Sequence, residues 1–277
     1  MTELGKLHDI SVSLRRLIIE TVHHAGMGHT GGSLSEVEIL AALYFRVLRG
    51  LNPGGPSDPA RDRFILSKGH ATPGYYSVLA LRGFFPVEEL KTFDSLGSRL
   101  QAHPDMKKTP GVDISSGSLG QGLSCGIGMA TASARDGSLG GFVTFVLLGD
   151  GELQEGQVWE AALYAGSRKL PRLVAVVDAN GVQLASLVSD SSDPAPLADK
   201  WRAFGWQTFE ADGHDAEGMA EVLEEARVAS SEGPVAVIAR TVKGKGVSFM
   251  EGRPEWHGKA PNDMERDAAL KEISDAR

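Results

Sequence analysis

Cysteine is almost missing from this chain of 277 residues. Cys125 stands alone, so an internal disulfide and a thiolate zinc cluster are both excluded, and a reducing compartment, by default the cytoplasm, is expected. Basic charge is also short. Lys and Arg number 28 against 36 Asp and Glu, a net charge of −8 that argues against a nucleic-acid partner, which would want a basic stripe. Long apolar runs are absent too: nothing approaches the roughly 20 residues that a membrane span needs. The stretch 1–9 is charged and has no apolar core of a leader, so a soluble, unprocessed chain with no membrane partner is expected. No internal repeat, low-complexity tract or convincing linker interrupts the sequence.

Glycine is what the chain has in excess, with 34 residues against an ordinary share of about 7%. The glycines cluster at 26–32, 117–128 and 149–156, which suggests loops where backbone closes on a ligand or on another backbone.

Apolar spacing predicts helices over residues 4–22 and 34–48, the second opened by Ser33 as N-cap with Glu36 three positions on. A glycine-rich turn from His23 to Gly32 separates them. Residues 52–60 read as a Pro/Gly/Ser loop, 63–67 as a short strand and 74–81 as a helix. Residues 117–122 open a helix of unusually small residues that contains Cys125, expected to be a packed small hydrophobe with no role as a nucleophile. Residues 142–148 and 172–177 are short β-branched runs of the kind found in strands covered on both faces, with a helix over 157–167 between them. The alternation repeats through 206–211, 216–230 and 234–242, and 186–196 reads as a surface loop. The expectation is one α/β domain over residues 1–277, a mostly parallel sheet with helices on both faces.

Ligands of such sheets bind beyond the carboxyl ends of the strands. Gly149-Asp150-Gly151 ends one predicted strand and Asn180-Gly181 follows the next, so a carboxylate and an amide oxygen meet at one edge. With a nearby main-chain carbonyl they would supply half an octahedron for Mg²⁺, whose shell phosphate commonly completes. Taken singly, each motif is equally well an ordinary turn.

Together, Gly149-Asp150-Gly151 and Asn180 resemble the motif by which thiamine diphosphate enzymes bind a metal diphosphate. Further blocks are similar to those of transketolases, and in the same order: Gly28-His29-Thr30-Gly31-Gly32-Ser33, Ser67-Lys68-Gly69-His70, Gln101-Ala102-His103-Pro104-Asp105, Ser116-Gly117-Ser118-Leu119-Gly120-Gln121-Gly122 and Trp256-His257-Gly258-Lys259-Ala260-Pro261.

The resemblance implies a thiamine diphosphate-binding fold and transfer of a two-carbon ketol unit from a ketose, or ketose phosphate, to an aldehyde. It implies thiamine diphosphate and Mg²⁺ as cofactors, with Ca²⁺ or Mn²⁺ able to substitute. Asp150, Asn180 and the carbonyl of Val182 correspond to the metal ligands. His70, His257, Gly117, Ser118, Leu119, Gly149, Gly151 and Asn180 correspond to cofactor contacts. His29, His103 and again His257 correspond to histidines lining the donor-sugar channel, where imidazoles bond hydroxyls and move protons. Glu155 corresponds to a carboxylate in the acidic network that joins two active sites. His8, His23, His24 and His214 match no such role, and packing or surface positions are expected for them. Lys243-Gly244-Lys245 is similar to a family loop and reads equally well as a solvated basic loop.

Family members of full length carry two more domains, including the one that supplies the glutamate facing the aminopyrimidine. The expectation is therefore a split enzyme, with those domains on a separate C-terminal subunit, in an assembly of α2β2 type. Thr30, Asp105 and Ala185-Ser186 depart from the family pattern, which leaves room for a substrate other than the usual pentose phosphates. Two competing readings remain at this point: the α chain of an E1-type 2-oxo acid dehydrogenase, and a catalytically degenerate thiamine-fold scaffold.

Overall fold

Every residue of the second strand is buried, as a mostly apolar run between two helical layers requires. The computed structural model describes residues 6–136 and 141–275. Its core is a five-stranded parallel sheet of β1 (Arg63–Leu66), β2 (Thr144–Gly149), β3 (Leu173–Ala179), β6 (Gln207–Asp212) and β7 (Val235–Arg240), in the order β1-β2-β3-β7-β6. Alternate side chains go to opposite faces. Phe145, Leu147, Val174, Val176, Val235 and Val237 face one core, with α1 (Leu7–Ala25), α3 (Val37–Ala42), α4 (Thr72–Leu81), α8 (Ala216–Ala229) and α9 (Asp263–Asp275) contributing the rest of it. Val146, Leu148, Ala175, Val177, Ala236 and Ile238 face the other, built with α5 (Gln121–Arg135), α6 (Gly156–Ser167) and α7 (Leu197–Ala203).

The small residues of α5 let it approach the sheet closely. A Cβ on Gly126 would lie 2.6 Å from a methyl of Val146, and one on Gly122 would meet the backbone of Ser67 at 2.9 Å. Cys125 is partly exposed on this helix and packs its inner side against the second core.

Four sequence expectations are corrected. α1 begins at Leu7 and continues to Ala25, where Gly26 adopts a left-handed φ of 68° and closes the helix on His23 O; residues 4 and 5 lie outside the described residues. The helix expected over 34–48 is three pieces: α2 (Thr30–Ser35), α3, and a π-helical turn at Leu43–Val47. Ser33 is no N-cap, because it lies inside α2 with its hydroxyl donated to His29 O, and Glu36 breaks the helix by turning into the protein. The loop expected over 186–196 starts instead with a hairpin of β4 (Val182–Gln183) and β5 (Ser186–Leu187), followed by a 3-10 turn at Val188–Asp190. α7 and α9 had no clear sequence signal. Among the described residues no helix is long and apolar enough to cross a membrane.

Candidate active site

Register places the chemistry. Gly149 of β2 pairs with Asp178 of β3, and Asp178 pairs with Ala239 of β7, so three loops leave the carboxyl edge side by side. They carry Asp150, the Asn180–Val182 turn and Lys243, and β1 adds Lys68 and His70. These residues line a cavity of about 420 Å³ together with Gly32, Leu119, Gly151, Glu155, Leu184 and His257. Wider hollows beside α9 and along α8 gather no comparable set.

The oxygen donors are pre-aimed by backbone. Asp150 accepts from Gly151 N at 2.9 Å and from Gly181 N at 2.6 Å. Burial nonetheless pushes its carboxyl up to about 6, helped by the nearby charge of Asp178. Asn180 donates its amide to Asp178 Oδ2 at 3.1 Å, which fixes its orientation, and its Oδ1 accepts from Val182 N at 3.0 Å. The carbonyl of Val182 accepts from Lys243 Nζ at 3.0 Å.

Lys243 is the largest departure from expectation. It is buried, 2% exposed, and its ammonium also reaches Nδ1 of His257 at 2.8 Å. The solvated reading of this loop therefore fails at Lys243. A Cβ on Gly31 would sit 3.0 Å from the Lys243 stem, so the glycine makes room for it. Burial, reinforced by Lys68, pushes the Lys243 ammonium down to about 8. Lys68 is buried as well. Its Nζ contacts Asp178 Oδ2 at 2.5 Å, Glu36 Oε2 at 2.9 Å and Gly32 O at 3.0 Å. Burial alone would lower this ammonium, but the two carboxylates outweigh it and raise it. Beside it, Glu152 receives Ser67 Oγ, Gly120 N and Gly149 N, tying the β1, β2 and α5 loops together.

Above these charges three imidazoles form a cluster. Ring centroids of His29, His70 and His257 lie 4.9 to 5.2 Å apart. Burial is the main cause that lowers all three, with neighbouring lysines and imidazoles adding to it: His70 falls to about 2 and His257 to about 3. They are neutral at physiological pH and can bond hydroxyls or take a proton. Since Lys243 donates to Nδ1 of His257, that ring carries its proton on Nε2.

Other anticipated residues fall around this centre. His103 is exposed and packs on Gly117, whose φ of 140° and 2.7 Å clearance to the His103 ring admit no side chain. Gly69 sits against the same loop, its missing Cβ only 2.6 Å from Gly117 N. Ser118 O accepts from Gln121 N where α5 begins, and Leu119 and the exposed Glu155 form the lip. His23 bonds Asp263 and His24 is exposed, as is His8. His214, set aside in the sequence, is half-buried and contacts the buried Glu38. Lys68, Asp178, Glu36 and Lys243 were missed as site residues, although Lys68 stands inside one of the transketolase-like blocks and Asp178 shares the strand end with Asn180.

This arrangement suits a diphosphate and a divalent cation. The donors are all oxygen, and among the described residues no three His, Cys, Asp or Glu side chains converge as a self-sufficient metal cluster. A hard cation held by one carboxylate, one amide and one carbonyl would complete its shell from a ligand. Two ammoniums flank the donors, and Gly32 and Gly149 leave open the space that a Cβ would take, with nothing nearer to it than 3.7 and 3.6 Å.

Comparison with known proteins agrees with that chemistry. Residues 8–273 match the family model for the transketolase thiamine diphosphate binding domain. The chain is 43% identical over 260 residues to the 6-deoxy-6-sulfo-D-fructose transketolase subunit SqwG of Clostridium sp. (strain MSTE9), covering 94% of this chain and 93% of that one. It is 44% identical over 261 residues to an apulose-4-phosphate transketolase subunit of Actinobacillus succinogenes, with the same coverage. Among solved structures, transketolase from Campylobacter jejuni superimposes with a TM-score of 0.89 at 32% identity, covering 97% of this chain and 42% of that one. The sheet edge, its paired oxygen donors and these matches place the chain in the transketolase family, in the part that binds thiamine diphosphate.

Proposed function

We propose that the chain is the N-terminal, diphosphate-binding subunit of a two-component transketolase, which moves a two-carbon ketol unit from a ketose or ketose phosphate to an aldehyde. The observation that carries this reading is the meeting of Asp150, Asn180 and Val182 O with Lys68 and Lys243 beneath three neutral imidazoles. Asp150, Asn180 and the Val182 carbonyl would hold Mg²⁺. Gly149, Gly151, His70, His257 and the Gly117-Ser118-Leu119 loop would hold the diphosphate of the cofactor. Thiamine diphosphate, when bound, supplies the electron sink for carbon–carbon cleavage.

This chain's own residues supply orientation and proton transfer. His257, fixed with its proton on Nε2, can donate to a sugar oxygen, while a neutral His29 can accept a hydroxyl proton. His103, beside Gly117, would meet the sugar farther out, and Glu155 at the lip would face the partner subunit. Burial keeps the imidazoles uncharged, so His70 and His257 would meet the diphosphate as neutral hydrogen-bonding groups and the lysines would supply the positive charge.

Names of relatives support the assembly and the substrate class. The two subunits described above are named for 6-deoxy-6-sulfo-D-fructose and for apulose-4-phosphate. A modified ketose substrate, a C-terminal partner subunit, an α2β2 complex and a cytoplasmic site of action follow as parts of the proposal.

The test is reconstitution of the full chain with a co-purifying partner, thiamine diphosphate and Mg²⁺, followed by assay of ketol transfer. The chain alone is expected to be inactive and the complex active. Transfer by the chain alone would remove the two-component part. An Asp150→Ala complex that binds thiamine diphosphate as tightly as the wild type would remove the cofactor assignment.

A further inference from the structure

We propose that Arg15, Glu38 and His214 form a positioning cluster that holds the 242–246 loop so that Lys243 reaches His257; the importance of this for catalysis rests on the functional reading above. None of the three lines the cleft. Arg15 comes from α1, Glu38 from α3, and His214 from the turn after β6.

His214 grips the start of the loop. Its Nε2 accepts the backbone N–H of Val242 at 2.7 Å, and its Nδ1 lies 3.0 Å from Glu38 Oε2. A backbone N–H can only donate, so Nε2 is the bare nitrogen and Nδ1 carries the proton given to Glu38. Arg15 grips the far side. Its Nε donates to Lys245 O at 3.0 Å, and its two terminal nitrogens fork onto Glu38 at 2.5 and 2.9 Å. One carboxylate thus orients both clamps, one on each side of Lys243. Gly246 closes against Arg15, its missing Cβ only 2.7 Å from Nε. Glu38 and Arg15 are 4% and 9% exposed, and His214 beside them is half-buried.

The chain of contacts ends on a single proton. Val242 precedes Lys243, whose ammonium meets His257 Nδ1 and thereby leaves the His257 proton on Nε2. If the cluster sets that contact, the bond from Val242 matters more than the bond to Glu38, and two substitutions separate them. His214→Gln can keep an acceptor near the Nε2 position and lose the donor to Glu38. His214→Asn can keep the donor near Nδ1 and lose the acceptor.

The experiment reads the imidazole nitrogen-15 shifts of the full chain, with His257 assigned through His257→Gln. Wild type and His214→Gln are expected to show His257 as one tautomer with Nε2 protonated. His214→Asn is expected to show averaged tautomers, matching Lys243→Met, and the combination of His214→Asn with Lys243→Met is expected to be no different from Lys243→Met alone. In the reconstituted complex His214→Asn should lose roughly tenfold in kcat/KM and His214→Gln less than about threefold. Should His214→Asn fail to fold, His214→Ala takes its place with the same expectation. Averaged His257 tautomers already in the wild type, or like behaviour of His214→Gln and His214→Asn, would overturn the proposal. The nitrogen readout uses neither cofactor nor partner, so its failure is distinct from failure of the proposed reaction.

Discussion

Lys68 Nζ lies 2.5 Å from Asp178 Oδ2, and neither side chain is more than 3% exposed. Glu36 approaches the same ammonium at 2.9 Å, without hydrogen-bond alignment, so two buried carboxyls share one cation. The sharing is unequal. Asp178 also receives Ser35, Thr241 and Asn180, and the charge of Lys68 together with these bonds overcomes burial and holds its carboxyl below the usual range. Glu36 has only Lys68 to oppose its burial, and burial pushes it up to about 8. Near neutrality the cluster is one ion pair beside one protonated acid.

Glu36→Gln should therefore stay within about 1 kcal/mol of wild-type stability at pH 7, whereas Asp178→Asn should lose about 3–5 kcal/mol by stranding the Lys68 charge. Denaturant unfolding checks both. The Glu36 carboxyl is raised above its ordinary 4.5, so its stabilising share is full below pH 4.5 and fades as pH rises through about 8. Glu36→Gln should lack that decline between pH 4.5 and about 8, and equal losses for the two variants would contradict the assignment of the proton.

His70 carries the opposite pH signature. Its folded value is depressed from 6.5 to about 2, so the unfolded chain binds the extra proton and stability falls as pH drops below 6.5. The slope from this one group approaches about 1.4 kcal/mol per pH unit over that window. Unfolding measured from pH 7 to 4.5 should fall less steeply in His70→Gln than in the wild type; parallel curves would mean that His70 is solvated.

Two glycines of α5 should respond with opposite signs. Gly122→Ala would press on Ser67 and should cost about 1–3 kcal/mol. Gly128 is exposed with open space where a Cβ would go, and Gly128→Ala should gain about 0.4–1 kcal/mol. Thermal unfolding of the two variants decides, and a stabilised Gly122→Ala would refute the close approach.

Lys243→Met should weaken thiamine diphosphate binding about 10- to 100-fold, the loss expected for one charge-assisted contact. Calorimetry in the presence of Mg²⁺ measures it. Unchanged affinity would mean that the ammonium serves His257 alone.

The strands and the metal-type donors were legible because each leaves a local signature. Residues 142–148 and 172–177 are short, mostly apolar and β-branched runs, and Asp150 and Asn180 come within three positions of their ends. What was not legible depended on distant partners. Glu36 has the spacing of a helix cap, yet its partner Lys68 is 32 positions away and comes from the end of β1. Lys243 opens a Lys-Gly-Lys-Gly run like that of any surface turn, and only the packing of Gly31 and the carbonyl of Val182 reveal its burial. His214 shows nothing locally, because its partners Glu38 and Val242 lie on other elements. Helix boundaries failed at Glu36 for the same reason, since the periodic apolar pattern does not show its buried contact with Lys68.

Adjacent strands of a sheet are about 4.8 Å apart. Asp150, Asn180 and Lys243 follow three neighbouring strands, so the hydrogen-bond ladder works as a ruler that sets the gaps between the groups at the floor of the cleft. Leu119 and Leu184 at the rim hang on loops outside that ladder. Sequence drift at the rim can then re-cut the opening for a differently shaped sugar while the measure at the floor stays the same.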